Sequence, residues 1–236
     1  MIEKKDRSII LACDFDLDRI DEIIPRISQY GIVGGFKVGF YLGLKYGLPE
    51  VVRRIRKYSN KPIIYDHQKA CTDIPDTGKL FVDACDSSGI DSIIYFPLTG
   101  PVTQEAWIKA SIDKQMDLIV GAWLTHQGFA KSEKGVFDEE SILSVFKLAA
   151  EMGVKSYVVP GTKPHAIEKI KNTIQDVLGD LSDVHFYVPG LIRQGGDISE
   201  VSKILPQNFH AIIGRGLYES ENLEDSMLEF EKLMLI

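Results

Sequence analysis

This sequence of 236 residues has no apolar stretch near the roughly 18 to 20 residues that a helix needs to cross a membrane. Its formal net charge is -7, which argues against a general surface of clustered Lys and Arg. Surfaces that bind nucleic acids or anionic membranes need such clusters, so we expect neither partner. The first apolar run ends in Asp14 and Asp16 rather than in small residues, which favours a buried strand over a signal peptide.

Cysteine is scarce as well. Cys13, Cys71 and Cys85 are odd in number and lack the paired spacing of metal sites. We therefore expect reduced thiols in a cytoplasmic protein.

The chain does contain a regular alternation of two kinds of segment. Eight short β-rich runs are nearly continuous in apolar character, which is typical of parallel strands buried on both faces. These runs begin at Ser8, Gly34, Lys61, Asp91, Asp117, Lys155, Val184 and His210.

Segments with helical periodicity separate the runs, such as the apolar stripe of Ile142, Phe146 and Ala149. Because strands and helices alternate without a linker or repeat, the sequence predicts an α/β protein. We expect a (β/α)8 TIM barrel forming a single domain over residues 1–236. An open, doubly wound sheet is the alternative. The longest connection, from Thr125 to about Asp138, is expected on the active-site face.

Charged residues stand where the strands of such a barrel should end, on the face that carries the active site. The first strand ends in Asp14, the second contains Lys37, and the third ends in Asp66. Lys69 and Asp73 follow closely. Burying any of these charges alone would be costly, so their alternating signs predict a paired network. This network is either a functional site, which we favour, or a structural ion cluster.

The last two strands are followed by glycine-rich turns, PGLIRQGGD from Pro189 and IIGRGLY from Ile212. Glycine lets backbone N–H groups approach an anion, and Arg215 adds a guanidinium. Barrels commonly hold a phosphate group in these two loops. The two turns together predict a phosphate-binding site.

With these motifs the chain resembles the orotidine 5'-monophosphate decarboxylase family over nearly its whole length. The family signature D-x-K-x-x-D-I-x-x-T corresponds to DHQKACTDIPDT, from Asp66 to Thr77. The resemblance implies decarboxylation of orotidine 5'-monophosphate to uridine 5'-monophosphate, a step of de novo pyrimidine biosynthesis. It implies no cofactor or metal, and a homodimer with shared active sites.

The resemblance also implies roles for four charged residues. Asp14 would bind the ribose hydroxyls, and Lys37 would bridge the ribose and Asp66. Asp66 would lie beside the departing carboxylate. Lys69 would stabilise negative charge at C6 of the pyrimidine and then protonate that carbon.

Other implied roles concern the partner subunit and the two ends of the nucleotide. Thr125 would contact the pyrimidine edge. Three residues would reach into the site of a second subunit, namely Asp73, Ile74 and Thr77. The 5'-phosphate would be held by Gln194 and Arg215, assisted by Pro189, Gly190 and Gly214.

Two features depart from the family pattern. The gaps on either side of the signature Lys are each one residue longer here. Asp66 and Lys69 would point to opposite faces of a regular strand, so we expect the chain to bulge or leave the strand after Asp66. Leu191, Ile192 and Arg193 replace small residues of the phosphate loop. Arg193 is either a further phosphate contact or a solvated side chain.

Other functions stay open. A metal-dependent phosphosugar enzyme of the same superfamily, of the hexulose-phosphate synthase or pentulose-phosphate epimerase type, could use His67 or His126 as ligands. A non-catalytic homologue could bind the nucleotide as a sensor. An unrelated indole-forming barrel could share only the phosphate loops.

Overall fold

The computed structural model describes residues 7–67, 70–206 and 208–234. Eight parallel strands pair in chain order and close into a barrel, with the last strand against the first. All eight segments predicted as strands form strands, so the predicted α/β barrel is confirmed. They are β1 (Arg7–Ala12), β2 (Val33–Gly39), β3 (Ile63–Asp66), β4 (Ser92–Tyr95), β5 (Asp117–Val120), β6 (Ser156–Val158), β7 (His185–Pro189) and β8 (Phe209–Ile213).

The described residues contain ten α-helices, two more than a simple alternation requires. They are α1 (Asp18–Ile27), α2 (Phe40–Tyr46), α3 (Leu48–Arg56), α4 (Thr77–Ser87), α5 (Pro101–Asp113), α6 (Glu139–Glu151), α7 (Pro164–Leu178), α8 (Ile198–Ile204), α9 (Arg215–Tyr218) and α10 (Leu223–Met234). None of them combines the length and apolar character of a membrane span.

The extra helices arise where the sequence interrupts a helix after β2 and after β8. Gly47 has a φ of 76° and separates α2 from α3, and Pro49 stands in the first turn of α3. A residue in the left-handed region ends a helix, and proline suits the first turn of the next one. Before α10, the Asn222 side chain accepts hydrogen bonds from the N–H groups of Glu224 and Asp225, which starts a new helix there.

Apolar side chains form two concentric layers. The larger layer lies between the strands and the helices and includes Ile20, Ile55 and Phe146. The smaller layer fills the barrel interior with Ile10, Ala12, Ile64, Ile94, Phe96, Ile119, Val158, Tyr187 and Ile212. Alternate residues of a strand point to opposite sides, so nearly continuous apolar strands supply both layers.

Three polar side chains are linked in a row at the N-terminal end of the barrel. Ser8 Oγ lies 2.8 Å from Nδ1 of His210, and Nε2 of His210 lies 2.9 Å from Nδ1 of His185. Burial, together with His185, lowers the pKa of His210 to about 3. His210 is therefore neutral at physiological pH and acts here as a hydrogen-bonding group.

The tight packing of the barrel interior can be tested at Gly121. A Cβ atom there would lie 2.7 Å from Cζ of Phe96 and 2.9 Å from Cβ of Val158. We expect Gly121→Ala to lower the free energy of unfolding by about 1–3 kcal/mol, as overpacking of a filled core does. Urea unfolding measures this change.

Gly31→Ala is the matched control, because a Cβ at Gly31 meets no atom within 4 Å. That variant should be as stable as the wild type or slightly more stable. Equal unfolding midpoints for the two variants would show that the interior yields readily around Gly121.

Candidate active site

A cavity of about 490 Å³ opens at the C-terminal ends of the strands. Functional residues of a (β/α)8 barrel are expected at this end. Among the candidate site residues, the following line it: Asp14, Lys37, Asp66, Thr125, Pro189, Gly190, Gln194, Gly214 and Arg215. The fold thus brings the charged strand ends and the glycine-rich turns to one cavity.

The floor of the cavity holds a buried ion cluster. Lys37 Nζ lies 3.0 Å from Oδ2 of Asp66 and 3.4 Å from Oδ1 of Asp14. Burial by itself lowers the pKa of Lys37, but the charges of Asp66 and Asp14 outweigh it and raise the pKa overall. Lys37 is therefore a permanent cation, and the paired network expected from the sequence exists for these three residues.

Strand register explains how three separate segments meet here. Lys37 pairs with Ala12 of β1 and with Ile64 of β3, two residues before Asp14 and Asp66 respectively. The long lysine side chain therefore extends toward the strand ends and ends between the two carboxylates. Gly39 lies beside the cluster, since a Cβ there would meet Oδ1 of Asp14 at 3.4 Å, an ordinary van der Waals distance.

One carboxylate oxygen of Asp66 has no hydrogen-bond partner among the described residues. Its side chain is 8% exposed, and Oδ1 is buried without a hydrogen-bond partner among the described residues. The strand ends at Asp66, as expected, and the N–H of Ala70 donates to the carbonyl of His67 at 2.6 Å. Lys69 lies outside the described residues.

The second half of the signature does not line this cavity. Asp73 is exposed, and its carboxylate accepts a hydrogen bond from the N–H of Ile74. Ile74 is 58% exposed, although it is apolar. The hydroxyl of Thr77 donates to the carbonyl of Ile74 at the start of α4. These three residues form an outward-facing turn beside the barrel mouth.

The opposite wall carries the glycine-rich turns. Gly190 has a φ of 87°, and a Cβ there would lie 2.9 Å from Cγ2 of Thr125 and 3.1 Å from Oε1 of Gln194. Only glycine suits both this conformation and this space. Arg215 is exposed and makes no salt bridge with any described residue. The Tyr218 hydroxyl donates to the carbonyl of Asp14 at 3.3 Å, which connects this wall to the ion cluster.

A second buried ion pair organises the long loop after β5. Lys163, only 2% exposed, lies 2.6 Å from Oε1 of Glu133 and donates to the carbonyl of His126 at 2.8 Å. The hydroxyl of Thr162 donates to the carbonyl of Thr125 at 2.7 Å. The loop after β6 thereby holds Thr125 and His126 at the cavity wall.

A family model described as "Orotidine 5'-phosphate decarboxylase / HUMPS family" matches residues 7–230. The chain belongs to this family. An orotidine 5'-phosphate decarboxylase from Methanocaldococcus jannaschii is 26% identical, and the match covers 96% of this chain and 98% of that protein. One from Methanosarcina barkeri is 30% identical over 94% of this chain and 91% of that protein.

A solved structure of an orotidine 5'-phosphate decarboxylase / HUMPS family member has the same fold. The Methanocaldococcus jannaschii orotidine 5'-monophosphate decarboxylase, crystallised in complex with the inhibitor BMP, matches with a TM-score of 0.80 and 26% identity. The match covers 97% of this chain and 98% of that one. The similarity extends over the whole barrel rather than over isolated motifs.

Several side chains at the candidate site of the present protein could not be predicted from its sequence. The Lys163–Glu133 pair joins residues 30 positions apart, and no local pattern predicts it. Trp123 lines the cavity, and its buried Nε1 makes no hydrogen bond with a described residue. Trp123 is the last residue of the β-rich run that the sequence predicts from Asp117, and this position was the one available signal.

The histidines considered as metal ligands have other contacts. His67 Nδ1 lies 2.8 Å from the hydroxyl of Tyr65, and the His126 ring packs edge-on against Phe129. Within residues 7–67, 70–206 and 208–234, no group of three or more His, Cys, Asp or Glu side chains is arranged to hold a metal ion. All three cysteines are buried and unpaired.

The Lys163–Glu133 pair makes stability depend on pH. Burial raises the pKa of Glu133, but hydrogen bonds from Lys163 and from the N–H of Phe129 outweigh it, so the folded pKa lies below the usual value. A lowered carboxyl pKa stabilises the fold above the unfolded pKa, and this contribution is lost as the pH falls through the folded pKa. At pH 7 we expect Glu133→Gln to lower the free energy of unfolding by about 3 kcal/mol, since Lys163 loses its counter-charge.

Urea unfolding at pH 7 and at acidic pH measures the effect, and the difference from the wild type should narrow below pH ~4. Glu140→Gln, an exposed position at the start of α6, is the control and should change stability little. Equal losses for the two variants, or a difference that persists unchanged in acid, would rule out this role for Glu133.

Proposed function

We propose that this protein decarboxylates orotidine 5'-monophosphate to uridine 5'-monophosphate in pyrimidine biosynthesis. The observation that carries the proposal is the Asp14–Lys37–Asp66 cluster facing glycine-rich loops and Arg215 across one cavity. The family membership of the protein and the activity named for its relatives support the same reaction. The expected cytoplasmic location stays a prediction.

The reaction needs stabilisation of one developing charge. When the bond from C6 to the carboxylate breaks, CO₂ leaves and the electron pair stays on C6, where the ring delocalises it poorly. A fixed cation beside C6 stabilises this carbanion more than it stabilises the substrate, which lowers the barrier. We assign that cation to Lys69, whose ammonium would then transfer a proton to C6.

The cluster suits the remaining roles in this scheme. Lys37 is immobilised by Asp66 and Asp14, so it would present a fixed ammonium to the ribose hydroxyls. Asp14, with 55% of its side chain exposed, is accessible to the same hydroxyls. Oδ1 of Asp66, which has no hydrogen-bond partner in the described part of the chain, would be available to a cation such as Lys69, and the charge of Asp66 would disfavour a carboxylate placed nearby.

The glycine-rich wall suits the distant end of the nucleotide. Gln194 and Arg215 would bind the 5'-phosphate, with backbone contacts at Pro189, Gly190 and Gly214. Thr125 would meet the pyrimidine edge between the two walls. Binding energy from the phosphate can orient the reacting carbon, although the phosphate takes no part in the bond changes.

We further propose a homodimer in which Asp73, Ile74 and Thr77 reach the partner's site. Their outward placement supports this, because none of them lines the cavity of its own barrel. Ile74 and Leu80 are 58% and 70% exposed, and apolar side chains in such positions favour a protein interface. A site completed by Asp73 of the partner subunit would gain the second carboxylate that the signature supplies.

An absorbance assay with purified protein, orotidine 5'-monophosphate and a chelator tests the activity. We expect turnover in chelator, and a loss of about 10³-fold or more for Lys69→Ala with binding of uridine 5'-monophosphate nearly unchanged. Lys109→Ala, which removes an exposed lysine of α5, is the control and should behave as the wild type.

Other results of these assays would contradict the proposal in different ways. Binding of the product nucleotide without turnover would make the chain a non-catalytic homologue. Activity that requires an added divalent metal would favour a phosphosugar enzyme of the same superfamily. Near-normal turnover by Lys69→Ala would show that another group protonates C6.

The shared site is tested by mixing two inactive variants, Asp66→Asn and Asp73→Asn. A heterodimer would contain one site with both lesions and one site with neither. Random mixing should therefore restore about one quarter of the wild-type activity. Measurement of turnover after verified subunit exchange decides the question, and heterodimers without any recovery would contradict a shared site.

A further inference from the structure

Arg193 lies on the rim of the cavity, next to Gln194, and it already has an anionic partner. Its Nη1 forms an ion pair with Oε2 of Glu219, directly after α9. The aliphatic part of the side chain passes Gly216, where an added Cβ would lie 4.0 Å from Cγ of Arg193. Arg193 therefore connects the turn after β7 to the segment after β8, the two segments assigned above to the phosphate.

The backbone of the turn fixes where Arg193 can reach. Leu191 is buried and anchors the turn, and Ile192 adopts a φ of 68°. This conformation is unfavourable for a β-branched residue and persists only because its surroundings impose it. The N–H of Ile192 donates to the carbonyl of Gly196 in the same turn at 2.8 Å, which holds this conformation. Arg193 and Gln194 consequently both contribute to the cavity lining.

Arg193 can readily exchange Glu219 for another anion. The side chains of Arg193 and Glu219 are 51% and 42% exposed, so water screens their attraction and opening the pair costs little. A phosphate monoester offers more charge and more acceptor oxygens than one carboxylate, and it matches the fork of a guanidinium. A phosphate bound between these segments would be a stronger partner for Arg193 than Glu219 is.

We propose that Arg193 is a second phosphate-binding guanidinium that exchanges Glu219 for the 5'-phosphate when the nucleotide binds. Glu219 is then a competitor, since its carboxylate occupies the guanidinium that the phosphate would bind. The inference rests on the proposed function through its phosphate site, and it adds a residue where the family resemblance leads us to expect a small side chain. It also explains why Arg193 and Arg215 differ, because only Arg193 has a carboxylate partner among the described residues.

The test measures binding of uridine 5'-monophosphate and of uridine by titration calorimetry, with the full-length protein. Arg193→Ala should weaken nucleotide binding about tenfold and leave uridine binding unchanged. Arg193→Lys should recover part of the loss, because it keeps the charge without the fork. Arg215→Ala is the positive control for loss of a phosphate contact.

Glu219→Gln should change nucleotide affinity in the opposite direction from Arg193→Ala. It should tighten nucleotide binding about twofold to fivefold, because Arg193 no longer has to leave a carboxylate. In the Arg193→Ala background the same substitution should have little effect, since the competition acts through Arg193. A purely structural ion pair would instead lose stability in both single variants and would not improve affinity in either.

The outcomes separate this inference from the function on which it rests. Unchanged nucleotide binding by Arg193→Ala, or tighter binding by Glu219→Gln that persists without Arg193, overturns the exchange. A wild-type protein that binds uridine 5'-monophosphate no better than uridine overturns the phosphate site and the exchange together. A protein that binds the nucleotide through Arg193 without decarboxylating orotidine 5'-monophosphate supports the exchange while refuting the proposed reaction.

Discussion

The pairing of Lys37 with Asp66 and Asp14 is the constraint on which the candidate site depends. A lysine buried at the top of a barrel would be destabilising without counter-charges, so β1, β2 and β3 must end in the register that supplies them. The same register places both carboxylates at the cavity floor. Pairing of the first three strands in this register therefore also assembles the cluster.

The barrel holds two chemically different sets of groups on opposite walls of the cavity. Strands β1 to β3 contribute charged side chains, whereas the segments after β7 and β8 contribute glycine-rich backbone and guanidinium groups. Tyr218 donates to the carbonyl of Asp14 and so links the two walls. Because a closed barrel fixes the distance between them, a ligand that contacts both walls is selected for length as well as for charge.

The sequence was sufficient for the fold and for much of the cavity lining, and the reason is physical. Nearly continuous apolar strands and glycine-rich turns are local patterns, so they can be recognised without knowing what they contact. The Lys163–Glu133 pair and the Arg193–Glu219 pair join residues from different loops, and their partners become identifiable only when the barrel closes. The two extra helices were missed because Gly47 and Asn222 act within single turns.

The charges of the two walls offer a physical account of how substrate binding and reaction would coexist at the proposed site. Among the described residues, the floor holds the ammonium of Lys37 between the carboxylates of Asp66 and Asp14, and the proposed mechanism adds the ammonium of Lys69 beside the reacting carbon. In the proposed reaction, the charge of Asp66 would disfavour a substrate carboxylate placed beside it, and departure of that group as neutral CO₂ would relieve the repulsion. The opposite wall carries Arg215, which has no carboxylate partner among the described residues, and this guanidinium would attract the phosphate of the proposed substrate. Attraction at the phosphate can therefore offset repulsion at the reacting carboxylate, provided that one rigid barrel holds both ends.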